Sequence, residues 1–203
     1  MDLLPPSQTA STDIQLNEWL FEIIQPYLKG RVLEAGSGFH TISAVFINKG
    51  RRLHLSTPDK ALREQLRARY QGIEAVRKVH SINFHRSDFD LAYRLEQANM
   101  FDTILILSPM QNSEFDARVI GNVRHLLRER GYLILLAPVF TAIYSGFDLD
   151  FDELKRCDRP TIKHLLTDKM TILTTRYFQL PKNSVYDRSG PSVIIVARKN
   201  KTD

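Results

Sequence analysis

Apolar residues along the chain follow two spacings that alternate, one typical of helices and one typical of buried strands. A helical spacing first appears from Asp13, where Thr12 or Asp13 can cap the start, and it ends near Pro26. Short, nearly continuous apolar runs then recur between further helical stretches. The predicted strands cover residues 31–35, 51–56, 79–86, 101–107, 131–136, 171–179 and 192–198, and the later predicted helices cover residues 40–49, 57–68, 89–98, 114–129 and 159–168.

The alternation of strands and helices predicts an α/β fold. We expect a doubly wound, seven-stranded, Rossmann-like sheet with helices on both faces and the last strand antiparallel. No helical segment separates the last two strands, so they are expected to pair with each other at one edge. Residues 1–12 are polar and contain two prolines, which predicts a flexible lead-in to a single domain over residues 13–203. The ligand crevice of such a sheet lies at the carboxyl ends of its strands.

A glycine-rich turn follows the first predicted strand. Residues 32–40 read VLEAGSGFH, which places Gly36 and Gly38 at the turn. Glycines at this position let the backbone turn tightly and approach a ligand closely. The same pattern also occurs in plain strand-to-helix connections, so the turn alone leaves both interpretations open.

The turn, together with its place on the first of seven strands, resembles the first motif of the class I S-adenosylmethionine (SAM)-dependent methyltransferases. The segments GRVLEAGSGFHTIS, FDTILIL and LLRERGYLILLAPV are similar to that family's first, fourth and fifth strand regions. The resemblance extends from about Asn17 to Arg198. It implies SAM as the cofactor and a small molecule as the methyl acceptor. The segment IYSGFDLDFDELKRCDRPTIKHLL resembles a bacterial subgroup often found with glycosyltransferases, which adds a glycan-related acceptor.

The resemblance also implies a set of cofactor-binding residues at the carboxyl ends of the strands. Glu34, Gly36 and Gly38 would border the methionine part of the cofactor. Asp88 would face the adenine amine, although it is equally placed to cap the following helix. The full set of implied cofactor-binding residues is Glu34, Gly36, Ser37, Gly38, His40, Ser56, Asp88 and Ser108.

Several positions depart from the family's pattern. His40 stands where a third glycine is usual. The second strand ends at Ser56 and Thr57, where the family carries an acid that binds both ribose hydroxyls, and Ser56 offers a single hydrogen bond instead. The segment Ser108–Asn112 lacks the usual acid and histidine. These departures support a second hypothesis, in which the chain keeps the fold and binds or regulates a protein partner.

Charge adds a third hypothesis. The net charge is +5, and nine Lys and Arg against three Asp and Glu lie between Arg51 and Arg86. Such a basic surface is either a solvated helix face or a face for nucleic acid or anionic lipid. An RNA methyltransferase is therefore a further alternative.

Other chemistry finds little support in the sequence. Cys157 is the single cysteine, so we expect no internal disulfide and no cysteine zinc site. The six histidines form no HxxxH or HExxH motif, so no metal ligand is assigned. No apolar run is long enough to span a membrane, and the first residues do not resemble a signal peptide. We therefore expect a cytoplasmic protein.

Overall fold

Seven strands form one sheet in the described part of the chain. The computed structural model describes residues 6–36, 42–93, 98–106, 117–138, 166–167, 170–179 and 191–201. The strands are Val32–Ala35 (β1), Leu53–Ser56 (β2), Val76–His80 (β3), Phe101–Ile106 (β4), Leu127–Pro138 (β5), Met170–Gln179 (β6) and Pro191–Lys199 (β7). The principal helices within these residues are Pro6–Ile24 (α1), Ser43–Asn48 (α2), Lys60–Arg69 (α3), Phe89–Ala92 (α4) and Ala117–Leu126 (α5).

The sheet has the strand order β3-β2-β1-β4-β5-β7-β6. The first five strands in the chain pair in parallel, and β7 runs antiparallel to both of its neighbours, β5 and β6. The seven-stranded Rossmann-like sheet with an antiparallel last strand is therefore confirmed, as is the antiparallel pairing of the last two strands. The direction of strand addition reverses between β1 and β4, which makes that junction the topological switch point.

Two apolar clusters cover the two faces of the sheet. One cluster contains residues of α4 and α5, and the other contains residues of α1, α2 and α3. All four residues of β1 are buried, and its apolar side chains go to both sides: Leu33 joins the first cluster and Val32 the second. Burial on both faces explains why this strand is a continuous apolar run in the sequence. The same burial holds the end of β1 in place where the turn begins.

Two predicted helix starts are wrong. The first helix begins at Pro6 rather than at Asp13, so most of the predicted lead-in over residues 1–12 is helical and Thr12 and Asp13 lie inside the helix. The third helix begins at Lys60, and its capping residue is Asp59 rather than Thr57. The Asp59 carboxylate accepts a hydrogen bond of 2.7 Å from a backbone N–H of the first turn, which a threonine two residues earlier does not reach.

The third predicted strand is displaced, because β3 spans Val76–His80 rather than residues 79–86. Ile82 and Phe84 are buried in the α4–α5 cluster although they belong to no strand. Alternate burial in an irregular segment thus produced a strand-like pattern. Similarly, α5 ends and β5 begins at Leu126 and Leu127, inside the predicted helix over residues 114–129. The predicted helix over residues 159–168 lies outside the described residues except for residues 166–167, which are helical.

None of the helices in the described part of the chain combines the length and the hydropathy that a membrane crossing requires.

Candidate functional site

The carboxyl ends of three strands meet at the switch point. Ala35, the last residue of β1, pairs with Ser56 of β2 on one side and with Ile106 of β4 on the other. Gly36 follows directly and has a φ of 75°, in the left-handed region that favours glycine. The backbone therefore leaves β1 in a tight turn at the place where open α/β sheets bind ligands.

Glu34 lies just before this turn and is nearly fully buried, at 2% exposure. Its Oε2 accepts a hydrogen bond of 2.6 Å from the hydroxyl of Ser43, the first residue of α2. Ser43 is also hydrogen-bonded to Tyr70. Burial raises the pKa of Tyr70 above its ordinary value, Arg69 opposes the shift, and the Glu34 charge adds to it. The Glu34 carboxylate thus joins β1 to α2 across the glycine turn, and its contact with a cofactor stays a prediction.

Ser56 occupies the end of β2 and is 1% exposed. Its hydroxyl oxygen accepts a hydrogen bond of 3.3 Å from the backbone N–H of Ile82 and lies 3.5 Å from the carbonyl oxygen of the same residue. These contacts tie β2 to the segment after β3. The predicted hydrogen bond from Ser56 to a ribose hydroxyl is not tested by them and stays a prediction.

The first acid after β2 is Asp59, and its side chain is engaged as the cap of α3. The backbone around it is held as well, because the Arg63 guanidinium donates to the carbonyl oxygens of Thr57, Pro58 and Asp59 at 3.0, 3.1 and 3.3 Å. The residues between β2 and α3 therefore offer one carboxylate, that of Asp59, and its Oδ1 is already engaged at the start of α3.

Asp88 directly precedes α4 in an exposed segment. Its side chain makes no capping hydrogen bond, although its carbonyl oxygen accepts from the N–H groups of Leu91 and Ala92. Both carboxylate oxygens accept from Arg86, at 2.8 Å from Nε and 2.6 Å from Nη2. These hydrogen bonds are the main reason why the pKa of Asp88 lies below its ordinary value. Each oxygen keeps a further lone pair that can accept from an adenine amine.

The segment that carries Asp88 is anchored by a residue that the sequence did not single out. Asn122 of α5 donates through Nδ2 to the carbonyl oxygens of Phe84 and Arg86, at 2.7 and 3.1 Å. Tyr93 adds a hydrogen bond of 2.7 Å to the carbonyl oxygen of Ser81. Neither contact has a local sequence signal, because the partners are far apart in the chain.

The remaining predicted site residues lie outside the described residues: Ser37, Gly38, His40 and Ser108. Their roles stay predictions. Within the described part of the chain, no group of three or more His, Cys, Asp or Glu side chains is arranged to hold a metal ion.

A histidine pair was also missed in the sequence. Nδ1 of His54 lies 2.8 Å from Nε2 of His80, and both rings contact Phe101 edge-on. Burial is the main reason why the pKa of each histidine falls from 6.5 to about 4. Because the pair joins neighbouring strands diagonally, only the register of β2 and β3 brings it together.

Two of the cavities lined by described residues lie at the edge where the parallel strands begin. One has a volume of about 380 Å³ and is lined by Leu28, Gly30, Val32, Phe46, Gly50, Arg51 and Arg52. The other has a volume of about 290 Å³ and is lined by Arg130, Arg198, Lys199, Asn200 and Lys201. The predicted cofactor cleft lies at the opposite edge and borders residues outside the described ones.

Comparisons with known proteins give matches among solved structures. No family model matches the chain, and a search of curated proteins gives no match. A SAM-dependent methyltransferase from Methanosarcina mazei superimposes with a TM-score of 0.64 at 18% identity, covering 89% of this chain and 98% of that one. The 1,6-didemethyltoxoflavin-N1-methyltransferase of Burkholderia thailandensis superimposes with a TM-score of 0.62 at 15% identity, covering 99% of this chain and 93% of that one. The CurJ carbon methyltransferase superimposes with a TM-score of 0.63 at 12% identity. The match covers 94% of this chain but only 54% of the CurJ chain. The chain therefore has the fold of the class I SAM-dependent methyltransferases.

Proposed function

We propose that the protein is a SAM-dependent methyltransferase that acts on a small-molecule or glycan-related acceptor. The observation that carries this proposal is the glycine turn at the switch point, where Gly36 follows β1 with a φ of 75° between the ends of β2 and β4. Support also comes from a structural neighbour of the same fold that was crystallised with S-adenosylhomocysteine.

The residues around the turn fit the cofactor in part. Gly36 leaves space for a close backbone approach, Ser56 would contact the ribose, and Asp88 would accept from the adenine amine. Bound SAM would supply an already activated methyl group, so the protein's task is chiefly to align an acceptor with it. The lack of an assigned catalytic base is therefore compatible with the proposal.

The position of Asp59 favours a second candidate, a methyltransferase-fold protein that has become a binding or regulatory partner. Because Oδ1 of this carboxylate caps α3, a ribose would have to compete with the helix cap to use both of its oxygens, so the usual bidentate acceptor is lost. A hydrogen bond to a charged group contributes about 1.5–3 kcal/mol. Its loss weakens binding by about one to two powers of ten. We therefore propose weak SAM binding, in the micromolar-to-millimolar range, or none.

Isothermal titration of the full chain with SAM and with S-adenosylhomocysteine tests the two candidates. We expect weak binding that Gly36→Ala abolishes, because an alanine is strained at this φ and brings a Cβ into the turn. The matched control is Gly72→Ala, at a glycine with a φ of 78° and no heavy atom beyond its chain neighbours within 4 Å of the place that a Cβ would take. We expect His40→Gly to tighten binding if the histidine crowds the turn.

Each outcome of the titration decides between the candidates. Submicromolar binding by the unmodified chain would contradict the proposed weakness and leave the enzyme as the only candidate. Absence of binding by both ligands, also after His40→Gly, would favour the binding or regulatory protein. Equal losses in Gly36→Ala and Gly72→Ala would contradict the assignment of the turn as the cofactor site.

A further inference from the structure

A row of basic side chains follows the edge of the sheet at which the parallel strands begin. Arg31 directly precedes β1, Arg51 lies just before β2, and Lys78 is the middle residue of β3, the outermost parallel strand. Because β7 is antiparallel, its carboxyl end reaches the same edge and brings further cations beside the start of β5. We define the basic rim as six exposed residues that form no ion pair within the described part of the chain: Arg31, Arg51, Lys78, Arg130, Arg198 and Lys201.

Acidic residues near the basic rim are largely neutralised by other cations. Glu74 lies 3.0 Å from Arg52 and 3.6 Å from Arg77. Asp102 lies 3.1 Å from Arg128. Glu129, in β5, offsets part of the charge near Lys199. The six residues of the basic rim therefore keep a net positive potential along this edge.

A buried ammonium group adds to this potential at one end of the basic rim. Lys199 is 8% exposed, and it lines the cavity of about 290 Å³ that Arg130, Arg198 and Lys201 also line. Its Nζ donates to Asn99 Oδ1 at 3.1 Å and to two backbone carbonyl oxygens at 2.7 Å. All three acceptors are neutral, so these contacts leave the ammonium charge uncancelled beside the cavity.

The length and composition of the basic rim match a phosphate backbone. Neighbouring strands lie about 4.8 Å apart, so the span from β3 to β7 across the sheet is about 24 Å. The phosphates of one strand in a duplex recur about every 3.4 Å. Four of the six residues of the basic rim are arginines, whose planar forks bind phosphate oxygens in pairs.

We propose that the basic rim binds the phosphate backbone of a nucleic acid. The glycine turn after β1 lies at the other edge of the sheet, so a strand on the basic rim leaves the proposed cofactor site open and is not itself placed there for methylation. Phosphate contacts fix position without reading sequence, and RNA and DNA offer the same backbone chemistry. The proposal does not depend on methyltransferase activity.

Fluorescence anisotropy with the full chain and a fluorescein-labelled RNA strand, long enough to cross the basic rim, tests the proposal. We expect the logarithm of the affinity to fall linearly with the logarithm of the salt concentration. The double variant Arg130→Glu/Arg198→Glu should weaken binding by about tenfold or more per lost contact. It should also reduce the salt slope by about 0.7 per lost contact.

Two further variants keep the test independent of folding and of overall charge. Arg51→Glu perturbs the far end of the basic rim and should also weaken binding, with far-UV circular dichroism showing that each variant is folded. Arg118→Glu is the matched control, because it makes the same charge change at an exposed residue near the start of α5, at the opposite edge. We expect its affinity for the RNA strand to stay within about twofold of the wild type.

Several results would overturn the proposal. An equal loss in Arg118→Glu would mean that only the overall charge matters. No binding of RNA or DNA strands at low salt would exclude the basic rim as a nucleic-acid site. Binding to phosphatidylserine vesicles without binding to RNA or DNA would show that the basic rim contacts a lipid surface instead. Binding to both RNA and DNA, or a preference for the RNA through its 2′-hydroxyl groups, supports the proposal.

Discussion

Acidification is expected to destabilise the protein through the pair formed by His54 and His80. Burial, with the nearby positive charges of Arg31, Arg77 and Lys78, holds the pKa of His54 at about 4, and burial likewise lowers that of His80 to about 4. In the unfolded chain each ring returns to its ordinary value of 6.5. The unfolded state therefore takes up protons first as the pH falls. Stability is complete above about pH 6.5 and is lost from there toward about pH 4.

The size of the effect follows from the pKa difference. About pH 5 is one and a half units below the pKa of the unfolded chain. A histidine with the full pKa shift then lowers the free energy of unfolding by about 2 kcal/mol, because one pKa unit corresponds to about 1.36 kcal/mol. His80 is 4% exposed and carries this full effect. His54 is partly exposed, so solvent screening reduces its share. We expect the pair to cost about 2–3 kcal/mol of unfolding free energy at about pH 5.

Urea unfolding at about pH 7.5 and about pH 5, followed by circular dichroism and Trp19 fluorescence, measures this loss. The double variant His54→Gln/His80→Gln keeps a polar contact between the strands and does not titrate, so it should lose about 2–3 kcal/mol less than the wild type on acidification. His125→Gln, which removes a histidine outside the pair, should follow the wild type. Equal pH dependence in the wild type and the double variant would refute the reasoning.

Two further substitutions test local packing, each by chemical denaturation. Gly30→Ala should cost about 3 kcal/mol, because the φ of 47° strains an alanine and its Cβ would overlap the Asp102 carboxylate. Gly72→Ala has the same strain without the overlap and should cost about 1–2 kcal/mol, so equal losses would contradict the steric explanation. Ser43→Ala removes a hydrogen bond from the buried Glu34 carboxylate and should cost about 1–3 kcal/mol, whereas unchanged stability would mean that water replaces the hydroxyl.

The fold was predictable where burial on both faces left a continuous apolar run. The strands β1 and β4 are buried in this way, and both were located within one residue at each end. Prediction failed where tertiary packing imitated a local period. Ile82 and Phe84 alternate with polar neighbours because the segment after β3 inserts them into the core, not because they form a ladder. The start of α1 at Pro6 was also not predictable, because residues 6–12 show no apolar positions at helical spacing.

For the candidate site residues, the place in the fold was predictable and the contacts were not. The sequence places Glu34 and Gly36 at the end of the first strand, and the structure has them there. That Glu34 binds Ser43, or that Asp59 is used by α3, depends on how the following helices begin. The contact between His54 and His80 depends on the strand register, including a shift after Leu53. Of these features only the cap has a local signal, because an Asp directly before a helix is a favoured capping residue.

The inner position of β7 has a consequence for synthesis on the ribosome. β7 is the last strand of this sheet to be made, yet it lies between β5 and β6, and β6 pairs with no other strand of the described residues. Until β7 leaves the ribosome, β5 has one open edge and β6 has two. Open strand edges and the apolar surface beside them are prone to pair with other chains. The sheet can therefore close only at the end of translation of this region, and a nascent chain that stalls before β7 exposes the edges that the finished sheet conceals.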